Sequence, residues 1–496
     1  MQIYKIVGPP GTGKTFRVLQ ALENAAKRYN PERIGAVSFT NAAINEMKDR
    51  IAGSSNISKD ILNNVKTIHS QCFRLLGLNR DQTAEKHIDE FNKMFPKLTI
   101  STKDFIKEDD SVQTNFNNAT FAKMNIYRNM CKTTGWADPE KKMYATWKRW
   151  MDEAGYIDYT GMLEQTLLLN RYPNIDILFV DEAQDLTKLQ MNLILKWADN
   201  VEITTMVGDA DQAIFRFTGG DPEVFKNLKY RWFEVLKQSY RVPRKILDFS
   251  LRTIRQIKDR EDFEYLPKPL EGGGEGTVIT QCAEPMLDRP GTHMIITRCG
   301  YEIEYYIAML RRRELLWHNP YRPEDSFYNP MKCGEFRAVK TYMALSSYQE
   351  VTEEAARDMV EHIIAKNNII RGEKTKITEG ARTEKMVDFF SLMNWGFTEE
   401  FLKFDKKLED IFSVKTAAGE LALKYAKKNK LDQKNPIIVG TIHSVKGGEA
   451  DNVWVSLTKT KKIIDEMSIN PQARDDEIRI AYVAFTRAKN FLGVMR

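Results

Sequence analysis

One stretch of eight residues, Gly8-Pro-Pro-Gly-Thr-Gly-Lys14-Thr15, limits what this chain can fold into more than any other. It satisfies the pattern GxxxxGK[ST], follows the short apolar run Ile3–Val7 and leads into a helical stretch from Lys14 to about Tyr29. A glycine-rich turn between strand and helix lets backbone N–H groups close around phosphate oxygens, and the helix N-terminus favours the anion. Gly8, Pro9, Pro10, Gly11, Thr12 and Gly13 are the expected cradle. Lys14 is placed to reach the β- and γ-phosphates of a nucleotide, and the Thr15 hydroxyl to ligate Mg²⁺. The plainer reading is a turn that merely contains many glycines, and the strand–loop–helix context argues against it.

Such a loop belongs at the carboxyl end of a strand in a parallel α/β sheet, where ligand chemistry collects. Further buried strands are predicted at Ile34–Phe39, Ile175–Val180 and Ile203–Val207. The second of these runs into Asp181-Glu182, which sets two carboxylates at a strand end. Asp181 is expected to hold Mg²⁺, and Glu182 to orient and deprotonate the attacking water. The same carboxylates, or Asp185, would also suit the N-cap of a helix over Leu186–Trp197. Beside a phosphate loop, the catalytic reading is preferred.

Length and composition frame this site. With 496 residues the chain has room for about three or four compact domains. Its 42% hydrophobic and 29% charged residues read as globular and soluble rather than disordered. No apolar run approaches the ~20 residues of a membrane span, and the phosphate loop follows Met1 too closely for a signal peptide. A cytoplasmic protein is therefore expected, nucleoid-associated or in host cytoplasm if viral. Cys72, Cys131, Cys282, Cys299 and Cys333 lie far apart with no CxxC pair, which argues against a zinc site or a disulfide framework. The net charge of +6 permits a nucleic-acid partner without requiring one.

Between Leu78 and Trp150 the pattern turns polar and helical. A second α/β set is predicted from Thr277–Gln281 and Met294–Thr297, returning at Ile437–Val439 and Val453–Leu457. Between its halves lies a helical stretch, about 343–433, with charged amphipathic runs at Glu353–Asn367 and Glu399–Lys430. Glu271–Gly276 reads as a flexible connector. The expected class is α/β, with two parallel-sheet domains, each interrupted by a mainly helical insertion.

From Asp181-Glu-Ala-Gln-Asp185 onward the sequence resembles superfamily 1 helicases, and other motifs narrow this to the UvrD/PcrA/Rep branch. Ala36-Val-Ser-Phe-Thr-Asn-Ala-Ala-Ile-Asn-Glu-Met-Lys-Asp-Arg50 and Thr67-Ile-His-Ser70, with Arg74, resemble its first strand-contacting motifs. Ile157-Asp-Tyr159 through Leu163 resembles the segment that precedes the acidic box. Val207-Gly-Asp-Ala-Asp-Gln-Ala-Ile-Phe-Arg-Phe217 is the most diagnostic stretch, and Gln238-Ser-Tyr-Arg241 resembles the opening of a second motor domain. Gly440-Thr-Ile-His-Ser-Val-Lys-Gly-Gly-Glu449 and Ala481-Tyr-Val-Ala-Phe-Thr-Arg487-Ala complete the series in family order. The resemblance implies a RecA-like motor domain over 1–77 and 151–236 with a helical insertion at 78–150. A second RecA-like domain is implied over 237–342 and 434–496, with an insertion at 343–433.

ATP and Mg²⁺ are the implied cofactors. Gln212 is placed on the γ-phosphate, Arg241 and Arg487 act as arginine fingers, Tyr240 stacks on adenine and Glu449 accepts from the ribose; Lys14 and Glu182 complete the catalytic set. Phe39, Phe215 and Phe217 are implied to stack on bases, a contact that tolerates any sequence. Phe39 keeps the alternative of an ordinary core residue. Thr40, Asn41, Thr67, His69, Thr441 and His443 are implied to hold phosphates and sugars, the histidines not as metal ligands. The whole implies a DNA helicase that translocates on single-stranded DNA 3′→5′ and unwinds duplex in replication, repair or recombination. Implied partners are single strands and single/double-strand junctions, with no membrane, and accessory replication or repair proteins. The chain is expected to be a monomer or to self-associate transiently. Alternatives are a translocase that strips bound proteins, a non-motor nucleotide switch, and an RNA track. Intact Glu182, Gln212, Arg241 and Arg487 argue against the switch.

Several positions depart from the family pattern. Gln2 has the wrong spacing for the adenine-reading glutamine, which leaves strict preference for ATP open. Ala42 stands where lysine is common and Thr218 where arginine usually follows the stacking aromatic, and Gly448 and Ala450 replace larger apolar residues. Lys141-Lys142 and Trp147-Lys148-Arg149-Trp150 have two readings: contact with duplex, or a tryptophan face packed inward with the cations in water. Arg311-Arg312-Arg313 reads as a solvated helix end.

Overall fold

The computed structural model describes residues 2–101, 115–270 and 274–496. Half of the expected connector Glu271–Gly276, residues 271–273, lies outside the described residues. The chain divides into two compact units. The first comprises Met1–Gly291, Ile296–Tyr301 and Thr441–Arg496, and the second Thr292–Ile295 and Glu302–Gly440.

The first unit begins with β1 (Ile3–Val7), β2 (Ile34–Ser38), β3 (Val65–Thr67), β4 (Ile177–Asp181), β5 (Ile203–Gly208) and β6 (Trp232–Val235). Their order is β3-β2-β4-β5-β1-β6, and every pairing is parallel. Side chains alternate across a strand, so a sheet covered on both faces needs apolar residues at successive positions. Ile3, Val7, Leu178 and Val180 face one layer, closed by Leu189, Leu193 and Trp197 of the helix Lys188–Ala198. Ile6, Ile177, Phe179 and Val207 face the other, closed by Val18 and Leu22 of the helix Lys14–Ala26 and Met47 and Ile51 of the helix Asn41–Gly53. Val7 pairs with Gly208 and Ser38 with Asp181, so the strand ends that carry the motifs finish together at one edge.

Within the region 78–150 the helices Ile88–Met94, Phe116–Asn129 and Asp138–Ala154 surround their own core of Phe91, Phe121, Met124, Trp147 and Trp150. The Trp147 ring lies 4.9 Å from Phe121 and 5.0 Å from Phe91. Lys148 and Arg149 pair with Asp152 and Glu153 one turn along the exposed face. Of the two readings of this stretch, the inward tryptophan face is the one built. Arg128 ties this core to the next helix: buried, it donates to Asp158 and Glu164, and Trp147 Nε1 donates to Asp158 Oδ2 (2.8 Å).

Among the described residues eight further strands follow: β7 (Thr277–Cys282), β8 (His293–Thr297), β9 (Trp317–His318), β10 (Val351–Thr352), β11 (Met386–Val387), β12 (Ile437–Thr441), β13 (Ala450–Ser456) and β14 (Ala488–Met495). In the first unit β13, β14 and β7 pair in parallel, so the second sheet is parallel as expected. In the second unit β12 pairs in parallel with β9, and β10 with β11 antiparallel. The run Glu353–Asn367 is a helix only to His362, because Ile363 turns extended and bridges to Phe412. The run Glu399–Lys430 breaks into the helices Glu399–Leu402, Leu408–Ile411 and Ala417–Ala426, the first and last capped by Thr398 and Thr416. Among the described residues no helix is long and apolar enough to cross a membrane.

Candidate nucleotide and strand site

The phosphate loop is held by backbone geometry that few residue types allow. Gly8 N donates to Gly208 O (3.1 Å) and Thr12 N to Pro9 O (3.3 Å). Gly11 has φ +75°, and a Cβ there would also stand 2.5 Å from Arg241 Cβ. Gly13, likewise left-handed, is the N-cap of the helix that starts at Lys14 and carries Thr15 in its first turn. Lys14 Nζ donates to Gly8 O (2.7 Å). Burial lowers the Lys14 pKa, opposed by Glu182, Asp209 and Asp181. The outer carbonyls of the loop are engaged too: Ser239 Oγ and Tyr265 Oη donate to Pro10 O, and Tyr240 N donates to Gly11 O (2.8 Å).

β4 delivers Asp181 as its last residue, and Glu182 follows with φ +53°, a backbone conformation non-glycine residues seldom hold. Asp181 Oδ1 accepts from Glu182 N (2.9 Å), and Gln184 Nε2 donates to Glu182 Oε2. Neither acid caps the following helix. Thr187 does, its Oγ1 accepting from Gln190 N (3.2 Å), while Gln190 Oε1 accepts from Thr187 N (3.0 Å). Burial raises the Asp181 carboxyl, and Glu182 beside it adds to the effect. Burial also opposes ionisation of Glu182, but Lys446 and Lys14 outweigh it and hold that carboxyl below the usual range. The pair is thus pushed apart, with Glu182 the group kept ionised. Among the described residues no group of three or more His, Cys, Asp or Glu could hold a metal. Thr15, in the first turn of its helix, and Asp181, at the end of β4, carry oxygen donors of the type Mg²⁺ prefers.

Gln212 sits between two charged partners. Its Nε2 donates to Asp209 Oδ2 (2.7 Å), and its Oε1 accepts from Arg487 Nη2 (3.4 Å). Arg487 is buried and also donates to Val483 O (2.9 Å) and Gly448 O (3.3 Å). Arg241 and Glu449 are paired with one another, Nε to Oε2 at 2.6 Å, and Glu449 takes a second ion pair from Lys489 (2.7 Å). The Tyr240 side chain is 68% exposed beside them.

The residues expected on the strand divide into one cluster and several neighbours. Phe215 lies 5.5 Å from Phe39, 6.0 Å from Phe217 and 6.0 Å from His443, and Phe217 meets His443 edge-on at 5.1 Å. Phe39 also packs against the first core layer, as its core reading expects. His69 stands elsewhere, edge-on to Tyr159 at 5.9 Å, and burial pushes its pKa down to about 4. Thr40, Thr67 and Thr441 share one local device: each Oγ1 accepts from a backbone N–H three residues on, Ala43 (3.2 Å), Ser70 (3.2 Å) and Ser444 (3.1 Å). At Thr40 and Thr67 a hydroxyl that accepts in this way still has its proton to donate to a phosphate oxygen. Asn41, exposed, opens the helix that Thr40 caps.

Residues 2–232 match the UvrD/REP helicase N-terminal domain. Over this part of its length the chain is similar to the UvrD/REP helicase family. A protein of Mycoplasma capricolum subsp. capricolum named "Probable DNA helicase II homolog" is 23% identical to this chain over 600 residues, 98% of this chain and 81% of the relative. The "ATP-dependent DNA helicase PcrA" of Staphylococcus aureus is 25% identical over 286 residues, 52% of this chain, and that of Staphylococcus epidermidis 25% over 319 residues, 59% of this chain. This chain spans only 38% and 42% of these two PcrA chains. A solved arterivirus nonstructural protein 10 helicase aligns over all of this chain and 59% of its own at 12% identity and TM-score 0.34, too loose to carry an argument.

Two residues of this site were not singled out by the sequence reading. Gln184, fully buried in the acidic box, accepts from Asp209 N (3.0 Å) while donating to Glu182. A Cβ on Gly208 would lie 2.5 Å from Gln184 Oε1, so the glycine permits that close approach. Lys446 is the other. Its Nζ donates to Asp185 Oδ2 and to Gln212 O (2.8 Å), lies 3.6 Å from Glu182 Oε2 and sits over the Phe215 ring at 5.2 Å. Its signal was present, a lysine between His443 and Glu449 in a motif already noted, but its partners are not readable from spacing.

Proposed function

We propose that the chain is an ATP-driven motor that moves along single-stranded DNA with 3′→5′ polarity and opens duplex at a junction, in replication, repair or recombination. One observation carries this reading: a single ammonium, Lys446, touches Asp185, Glu182 and Gln212 on the phosphate side and the Phe215 ring on the base side. The names of the relatives, DNA helicase II homolog and ATP-dependent DNA helicase PcrA, support ATP and DNA as the two ligands. The organisation that goes with it is two RecA-like motor domains, 1–77 with 151–236 and 237–342 with 434–496, bearing helical insertions at 78–150 and 343–433.

In this mechanism the backbone of Gly8–Gly13 and Lys14 bind the triphosphate, and Thr15 and Asp181 would hold Mg²⁺, which would supply positive charge to offset that of the phosphates. Glu182 accepts a proton from the attacking water as its oxygen bonds to the γ-phosphorus and the bond to the bridging oxygen breaks. Arg487 and Arg241 stabilise the charge that develops; for Arg241 this means leaving Glu449, whose freed carboxylate then accepts from the ribose. Tyr240 stacks on adenine. Gln212 passes the state of the γ-phosphate along the chain to Phe215 and Phe217, which hold bases while Thr40, Asn41, Thr67, His69, Thr441 and His443 hold the backbone. Hydrogen bonds from neutral side chains, rather than ion pairs, let the grip release in every cycle.

The test is ATP turnover with and without oligodeoxythymidylate, followed by unwinding of 3′-tailed, 5′-tailed and blunt duplexes of DNA and RNA. The expected result is slow turnover without polymer, strong stimulation by single-stranded DNA and unwinding of the 3′-tailed duplex. Equal turnover without polymer would make the chain a nucleotide switch. Stimulation without unwinding would make it a translocase that strips bound proteins.

A further inference from the structure

Arg216 lies between Phe215 and Phe217, the two aromatics expected on the strand, and the motor chemistry gives it no part. The three share one tight turn. Thr218 N and Oγ1 both donate to Phe215 O (3.0 and 2.7 Å), and Gly219 N donates to Arg216 O (2.9 Å). The Arg216 guanidinium reaches the helix Pro471–Phe485, where its Nη2 donates to Gln472 Oε1 (2.8 Å) and its Nε lies 3.7 Å from Asp476 Oδ2. Burial pushes the Asp476 carboxyl up to about 6, opposed by Arg216 and by Arg479, which donates to it from one turn along (3.3 Å). The other end of that helix carries Arg487. Arg487 N donates to Ala484 O (3.2 Å) and its Nε to Val483 O (2.9 Å), so the last turn and the arginine are one piece. Between the ends Glu477 accepts from Arg298 (2.7 Å), Ile478 and Tyr482 pack with Ile254 and Ile257, and Phe485 meets Phe249 at 4.9 Å. A helix of 15 residues is ~22 Å long, and such rigid elements carry a displacement from one end to the other.

We infer that Arg216 is a positioning residue for Arg487: a base seated on Phe215 and Phe217 shifts their turn, Arg216 carries the shift to Gln472 and Asp476, and the helix delivers it to the γ-phosphate. This rests on the proposed motor and gives it a second route beside Lys446. A direct contact with a strand phosphate is the other use of an arginine at this place. Gln472 and the Asp476 carboxylate already engage the guanidinium, which is why the relay is favoured. The pair is partly exposed, 26% and 23%, and such pairs contribute little to folding, so its removal leaves the fold standing.

The test uses the full chain with Arg216→Gln, Arg216→Lys, Asp476→Asn and the double variant Arg216→Gln/Asp476→Asn. Affinity for oligodeoxythymidylate, KM for ATP, turnover with and without saturating strand, and melting temperature are measured in each. Arg216→Gln and Asp476→Asn should each lower strand-stimulated kcat at least about fivefold, the lower end of ordinary coupling between two sites. Strand affinity, KM for ATP, basal turnover and melting temperature should stay at the parent level, a split that a merely structural role would not give. Arg216→Lys keeps the cation and should retain most of the response. The double variant should be no worse than either single, because both break one contact. Parent-level stimulation in both single variants overturns the inference and leaves the motor reading intact. So does weakened strand binding in Arg216→Gln beside an unaltered Asp476→Asn, which makes Arg216 a strand contact. Parent turnover that ignores the strand removes the motor reading and the inference together.

Discussion

Glu182 is the proposed base of hydrolysis, and its surroundings specify what a substitution should do. It is kept ionised by Lys446 and Lys14 against the cost of burial. Glu182→Gln keeps size and hydrogen bonding but cannot take a proton. Nucleotide affinity should therefore stay near the parent value while turnover falls by ~10²–10⁴-fold. Appreciable residual turnover in a single-turnover assay would remove Glu182 from the base role. Lys446 invites a second substitution. Lys446→Met removes the contact shared by Asp185, Gln212 and Phe215. Turnover without polymer should fall, because Glu182 loses the cation that most favours its ionised form, and the ratio of strand-stimulated to basal ATPase should fall towards one. A ratio equal to that of the parent would show that the ammonium is structural. At Gly11, a methyl group meets both a positive φ and Arg241 Cβ at 2.5 Å. Gly11→Ala should lose ATP binding measured by titration calorimetry, through the shape of the loop rather than any lost side chain.

Among the elements, the insertion built around Trp147 gives the cleanest contrast. Trp147→Ala opens a cavity in a packed aromatic core and should cost about 3–5 kcal/mol in denaturant unfolding, whereas Lys148→Ala on the opposite face should stay within about 0.5 kcal/mol. The Arg128–Asp158 pair beside it is buried on both sides. Burial alone would raise the Asp158 carboxyl, but Arg128 prevails and holds it below its ordinary value. A depressed carboxyl contributes stability above its unfolded pKa and loses it as pH falls through the still lower folded value. Acid unfolding of the parent should show that loss, and Arg128→Met should remove it while costing about 3–5 kcal/mol at neutral pH. These elements also show what the sequence made legible. β1, β2, β4 and β5 are short continuous apolar runs because a sheet covered on both faces leaves no polar alternation, and their ends carried the motifs. β3 has three residues and β6 is a half-buried edge reading Trp-Phe-Glu-Val, so neither produces a run. β14 was hidden by Lys489 and Asn490 near its start. The acidic run after Glu353 is helical only until Ile363 finds a distant strand partner, which no local pattern encodes.

Across the whole molecule, the phosphate loop and acidic pair were readable because each is local, a few residues that carry their own geometry. Coupling was not, because Lys446 meets Asp185 and Gln212 across separations of 261 and 234 residues. In the proposed motor a short segment joins the nucleotide to the strand. Gln212 and Phe217 lie five residues apart. One bridges Asp209 and Arg487, and the other meets His443 in the aromatic cluster. The most direct test measures strand affinity, strand-stimulated ATPase and unwinding in Gln212→Ala, Phe217→Ala and the double variant. Phe217→Ala should lose ~1–3 kcal/mol of strand affinity, keep near-parent ATPase at saturating strand and lose more unwinding than hydrolysis. Gln212→Ala should bind strand yet respond to it weakly, and the double variant should be non-additive because both changes interrupt one path. Parent-level strand binding and unwinding in Phe217→Ala would contradict the account.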